Sequence, residues 1–109
     1  MSGRIYPVAF NYMTFMNIIK EDVLNIFMVK ADWCGPCKMI MPRVVELSIN
    51  YPSVNFHWLN IDDDANHEII EYLAPTKVPT FYIIKNGICI ETIVGTNVNK
   101  LEDLINRYL

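Results

Sequence analysis

Val23 to Val29 is apolar at every position except Asn25, while the segments on either side mix apolar and polar residues at helical spacing. A run of that kind predicts a strand covered on both faces. Before it, Ile5 to Phe10 predicts a short strand in which Pro7 suits only an edge or an end. Asn11 to Asp22 follows as a helix, with Phe15, Ile18 and Ile19 on one face and Asn11 as a cap. From Cys34 to Asn50 the pattern is helical through Met41, Val44, Val45, Leu47 and Ser48, and Pro42 inside it predicts a kink. Val54 to Asn60 reads as a strand, Asn66 to Leu73 as a short helix that Pro75 ends. Thr80 to Lys85 and Ile88 to Val94 are β-branched runs joined by Asn86-Gly87, a dipeptide that accepts positive φ at both positions and so predicts a hairpin. Gly95 breaks the second of these strands. A last helix, Val98 to Leu109, carries a stripe of Leu101, Leu104, Ile105 and Tyr108, with Asn99 and Glu102 placed as a capping box. The order β-α-β-α-β-α-β-β-α implies an α/β fold, a sheet covered by helices, in one domain spanning residues 1–109.

Composition narrows the functional classes. The 109 residues, 52% of them hydrophobic, suffice for one core and argue against disorder. A net charge of -3 offers no basic footprint for nucleic acid. No stretch reads as a signal peptide and no apolar run reaches membrane-spanning length, so neither a membrane nor an export route is expected. Three cysteines are an odd count, too few for a disulfide-stapled scaffold, and a reducing, cytoplasmic setting is the expectation.

Two of those cysteines stand in Asp32-Trp33-Cys34-Gly35-Pro36-Cys37-Lys38, a C-x-x-C between a predicted strand and a predicted helix. Zinc would need four ligands, and there is no second C-x-x-C; His57 and His67 are not spaced as a ligand pair. Gly35-Pro36 is turn material, which disfavours two cysteines simply buried in a core. The redox reading is left. Cys34, in the first turn, meets unpaired backbone N–H groups that stabilise a sulfur anion; Cys37 lies one turn further in. Cys34 is therefore expected to attack a disulfide and Cys37 to resolve the mixed disulfide. Lys30 and Lys38 are ambiguous: either ammonium near the pair would favour a thiolate, but a strand-end lysine reaching water and a solvated helix face are the plainer readings. Asp62, Asp64 and Asn66 alternate like calcium ligands, but His67 and Leu73 occupy the positions that need glycine and glutamate. No metal is expected. Cys89 reads as a buried structural thiol, Met39 and Met41 as core filler, and His57 and His67 have no identifiable catalytic partner.

The segment Trp33 to Lys38 is similar to the active-site signature of the thioredoxin family. Pro42 at the helix kink, Val78-Pro79-Thr80, Asn86-Gly87 and Val94-Gly95 follow in the same order, so the resemblance covers nearly the whole chain. It implies the thioredoxin fold, a central mixed sheet of about five strands with about four helices. It implies a thiol–disulfide oxidoreductase reducing protein disulfides through a reversible Cys34–Cys37 disulfide, with no bound cofactor. A dithiol electron donor such as a thioredoxin reductase would recharge a monomeric chain. The resemblance also implies a cis Pro79, and a flat substrate surface of Trp33, Gly35, Pro36, Val78, Pro79, Gly95 and Thr96 on which the Val78 backbone pairs with an extended substrate segment.

The chain departs from the family behind the cysteines. The family's buried aspartate falls at Met28, six residues before Cys34, and its lysine partner at Trp58. Losing both halves of a buried pair leaves no unpaired charge. It also leaves Cys37 without the usual proton acceptor, so Met28, Lys30 and Trp58 are the expected tuning positions. Two other readings stay open at this level: a thioredoxin-fold binding or assembly module with a little-used redox pair, and a disulfide oxidase or isomerase.

Overall fold

The computed structural model describes residues 5–7 and 11–109. Its strands are β1 (Ile5–Pro7), β2 (Asn25–Lys30), β3 (Asn55–Asn60), β4 (Thr80–Lys85) and β5 (Ile88–Val94); its helices are α1 (Tyr12–Ile19), α2 (Gly35–Asn50), α3 (His67–Leu73) and α4 (Val98–Tyr108). The sheet runs β1-β3-β2-β4-β5. β1 and β2 pair parallel to β3, whereas β4 pairs antiparallel to β2 and to β5. This is the expected mixed α/β sheet, with the apolar β2 at its centre.

Alternation along the strands divides two cores. Ile26 and Met28 of β2 face the same side as Phe56, Phe81, Ile83 and the inner faces of α2 and α4. Phe27 and Val29 face the other side with Leu59, Tyr82, Ile84, Phe15 and Ile19 of α1 and Ile69 of α3. Residues i and i+1 of a strand point to opposite faces, so a strand buried on both sides must be apolar throughout. β1 is an edge and Pro7 its end, where a missing donor costs nothing. Val8 to Phe10 of the expected first strand lie outside the described residues.

Several boundaries move for physical reasons. α1 ends at Ile19, not Asp22, because the hairpin takes over its C-terminal carbonyls: the Gly87 N–H donates to Ile19 O at 2.6 Å and the Asn86 N–H to Glu21 O at 3.0 Å. Asn86 and Gly87 sit at φ 54° and 76°, as the dipeptide predicts. β2 starts at Asn25 and gains Lys30 by pairing with Asn60. A single 3-10 turn, Asp64–Asn66, precedes α3, and Ala74 ends α3 in the left-handed conformation at φ 53°. α4 is capped by Asn97, whose side chain accepts the Lys100 N–H at 3.1 Å; the Asn99–Glu102 box does not form, and Glu102 instead receives Arg43 and the Tyr51 hydroxyl. Tyr108 and Ile18 are only half-buried, and Val45 is exposed. Cys89 is exposed too, because β5 is the outer strand and shows most of its residues to solvent. Among the described residues no helix is long and apolar enough to cross a membrane.

Candidate active site

β2 ends at Lys30, and four residues later Cys34 caps α2. The Cys34 N–H donates to Ala31 O at 3.2 Å, which closes the turn between strand and helix. Cys34 is extended, at φ -87° and ψ 105°, and its Sγ accepts the Cys37 N–H at 3.2 Å. A sulfur thus takes the place of the oxygen that usually caps a helix. Gly35 and Pro36 fill the first helical positions, where a missing proline N–H leaves nothing unsatisfied. Cys34 and Cys37 form a disulfide with Cα atoms 5.3 Å apart. Both cysteines belong to the core between the sheet and α2, and Cys37, at 1% exposure, lies deeper than Cys34 at 4%.

Around the pair the surface is apolar and open. Trp33 is 70% exposed, and its indole Nε1–H donates to Asp62 Oδ2 at 2.7 Å, which fixes the ring beside the cysteines. Gly35 and Pro36 are exposed. The Val78–Pro79 bond is cis; Val78 is half-buried against the core that holds Cys34 and Cys37, and Pro79 is buried. The Gly95 N–H donates to Pro79 O at 2.8 Å, joining the two distant segments, and Gly95 needs its freedom because its φ is 101°. Thr96, exposed, follows it. Thr96 is also on the wall of a groove of about 270 Å³, shared with Met39, Ile40, Arg43, Asn97 and Val98. Met39 is not core filler: it is 80% exposed. Helical phase could have shown this, since Met39 lies two residues, roughly 200°, from the buried Cys37. Asp62, the indole's partner, carried no sequence signal beyond an acidic run.

The expected tuning residues meet behind the pair. Met28 is 1% exposed and stands in register between Trp58 on β3 and Phe81 on β4. Lys30 does not extend to water as a strand-end lysine would. Its ammonium lies 4.3 Å from the centroid of the Trp58 ring and 3.5 Å from Asp32 Oδ1, with only 15% of its side chain exposed. Lys38 is exposed, in keeping with a solvated helix face. His57 points to the opposite face, stacked on Phe27 with centroids 4.6 Å apart, and burial lowers its pKa from 6.5 to about 4. It has no part in the cysteine site. Among the described residues no group of three or more His, Cys, Asp or Glu side chains is arranged to hold a metal ion.

A strand–turn–helix with a cysteine cap and a second cysteine one turn on can do one kind of chemistry, exchange between a dithiol and a disulfide. The thioredoxin family model matches residues 7–107. Thioredoxin 1 of Plasmodium falciparum is 38% identical over 94 residues, covering 86% of this chain and 88% of that protein. Thioredoxin-1 of Schizosaccharomyces pombe is 38% identical over 95 residues, covering 87% of this chain and 90% of that protein. The crystal structure of thioredoxin f from spinach chloroplast (short form) superposes with a TM-score of 0.85 at 29% identity, over 98% of this chain and 95% of that one. A family match over residues 7–107, on a fold that closes a disulfide between Cys34 and Cys37, makes this chain a member of the thioredoxin family and a thiol–disulfide oxidoreductase.

Proposed function

We propose that the chain works in the reducing direction, with Cys34 as the attacking thiolate and Cys37 as the resolving one. The observation that carries the assignment is the position of Cys34 as the cap of α2, where the Cys37 N–H already points at its Sγ from 3.2 Å. That N–H and the helix terminus favour negative charge on Cys34 rather than on Cys37. The Cys34 thiolate attacks a substrate disulfide; one S–S bond breaks, a Cys34–substrate bond forms, and the first product thiolate leaves. The Cys37 thiolate then attacks Cys34 Sγ, forms the Cys34–Cys37 bond and expels the second thiolate with its electron pair. Two electrons pass from the chain to the substrate, and a dithiol donor of the thioredoxin reductase class restores them.

Exposed Trp33, Gly35, Pro36 and Thr96, with Val78, Pro79 and Gly95 beneath them, form the docking surface for a protein disulfide. The Val78 backbone is the element that would pair with an extended substrate strand. We further propose a monomeric protein of a reducing, cytoplasmic compartment, consistent with an exposed Cys89 that a reducing milieu keeps as a thiol.

Insulin reduction and the Cys34–Cys37 potential test the direction together. Thioredoxin itself is the reference case at about -270 mV, against about -120 mV for a strong disulfide-forming oxidant. Turnover of insulin with a potential near the first value is the expected result; a potential near the second reverses the direction. Cys37→Ser is expected to trap a mixed disulfide on Cys34, whereas Cys34→Ser traps none. Trapping on Cys37 instead would overturn the assignment of roles.

A further inference from the structure

Cys37 has to ionise in an environment that opposes it. Its side chain is 1% exposed and packs in the apolar core with Met28, Val44 and Phe81. Burial of that kind raises a thiol's pKa, because the charged form loses its hydration. The helix terminus that favours a Cys34 thiolate is one turn away from Cys37, and the N–H of Cys37 is directed at Cys34 rather than at its own sulfur. During resolution Cys34 is neutral, bonded to substrate, so Cys37 must become the anion there.

One wall of its surroundings is not apolar. A cavity of about 220 Å³ lies beside Cys37, bounded by Lys30, Ala31, Asp32, Lys38 and Met41. Two lysines line that wall. Lys38 is exposed, so its field at Cys37 is screened by solvent. Lys30 is not: with 15% of its side chain exposed, it is held between the face of Trp58 at 4.3 Å and the carboxylate of Asp32 at 3.5 Å. Trp58 contributes an aromatic face and no charge, and β4 brings Phe81, which does not ionise, to this side. The one carboxylate lining the cavity is Asp32, 81% exposed and already paired to Lys30; Asp62 is bonded to the Trp33 indole.

We propose that Lys30 is a positioning residue for the second half of the exchange: its ammonium, fixed over Trp58 on the cavity wall, stabilises the Cys37 thiolate that attacks the mixed disulfide. The assignment rests on the reading that Cys37 resolves. The thiol proton goes to water on the open side of the cavity. The lysine thereby acts on the resolving sulfur by charge alone, and it shares its cavity with Cys37, not with Cys34.

An opposite charge in reach of a thiol moves its pKa by about one pH unit or more. Losing that stabilisation removes about tenfold of the thiolate at a given pH below the midpoint. Intrinsic nucleophilicity rises as the pKa rises, with a Brønsted slope of about 0.4–0.5, so the resolution rate falls by roughly threefold rather than tenfold.

The test reads Cys37 directly, by thiolate absorbance near 240 nm against pH, in a Cys34→Ser/Cys89→Ser chain. Serine caps a helix as well as cysteine does and reproduces the neutral group at position 34 during resolution. Lys30→Gln is expected to raise the Cys37 midpoint by about one pH unit, and Lys30→Arg to keep it near the starting value. A midpoint unmoved by Lys30→Gln overturns the proposal, and so does an equal rise in Lys30→Arg, because packing rather than charge would then be responsible. Asp32→Asn, at a side chain that is 81% exposed, is expected to lower the midpoint; no change there also counts against it. Insulin reduction by the unmutated chain reads the underlying function separately: absence of turnover alongside the Lys30 effect removes the reductase reading and leaves the electrostatic assignment standing.

Discussion

His57 shows how a residue outside the cysteine site still governs behaviour with pH. Its Nε2 lies 3.1 Å from Asn25 Oδ1, and Asn25 donates its own amide to Val23 O, so Asn25 Oδ1 is the acceptor and the imidazole carries the proton on Nε2. The ring is stacked on Phe27 in the core opposite the cysteines, and burial lowers its pKa from 6.5 to about 4. The folded chain therefore binds a proton less readily than the unfolded one. The stabilising contribution is complete above pH 6.5 and is lost as pH falls from 6.5 toward about 4, up to roughly 3 kcal/mol. Urea unfolding at pH 7 and pH 4.5 is expected to show this loss in the parent chain, and a smaller one in His57→Gln, which keeps a donor for Asn25 without a titrating ring. Equal losses in the two chains would assign the acid sensitivity to carboxylates instead.

At the scale of elements, the informative residue is a cap. Asn97 accepts the Lys100 N–H, so Asn97→Ala is expected to cost about 1 kcal/mol. Asn99→Ala, at a position inside the helix and exposed, is expected to stay within about 0.5 kcal/mol. Denaturant midpoints of the two variants decide between the caps; a larger cost at Asn99 would restore the box that the sequence suggests. Two asparagines two residues apart satisfy the same local pattern, and what separates them is tertiary: Glu102 is drawn away from the helix start by Arg43 and Tyr51 of α2 and its end. The same distinction runs through the chain. The order of elements was legible because it depends on local periods: the apolar β2, the Asn86-Gly87 turn, the stripe of α4. The cysteine pair was legible because a turn and a helix start are themselves local. The end of α1 was not, since its carbonyls go to a hairpin about 65 residues away, a pairing no local pattern encodes. Nor was the exposure of Cys89, which follows from the place of β5 at the edge of the sheet. Lys30 looked like a solvated strand end because its aromatic partner sits on another strand.

The molecule as a whole is organised around β2, which contributes alternate residues to two cores and delivers the cysteines at its end. Met28 is the point where these roles meet: 1% exposed, in register with Trp58 and Phe81, and in the same core as Cys34 and Cys37. Placing a carboxylate there reinstates the acid usual in thioredoxins without its lysine partner. Met28→Asp first loses apolar contacts, by about 2–5 kcal/mol at any pH. The carboxyl is also pushed above the ordinary aspartate pKa by burial, so the folded state holds the proton more tightly than the unfolded one. Its stability is then greatest below pH 4 and declines as pH rises toward the folded midpoint, by about 1.4 kcal/mol for each tenfold by which folding tightens proton binding. Lys30, two residues along on the same face, offsets this only so far as Asp32 and Trp58 release it. Urea unfolding is thus expected to show a greater loss for Met28→Asp at pH 7 than at pH 4, and adding Trp58→Lys to return the pH-dependent part alone. The same carboxylate raises the thiolate midpoint of the reduced cysteine pair, which absorbance near 240 nm reads independently of stability. A variant equally destabilised at both pH values, with an unmoved thiolate profile, would reduce Met28 to a packing residue and leave the tuning of the pair to Lys30.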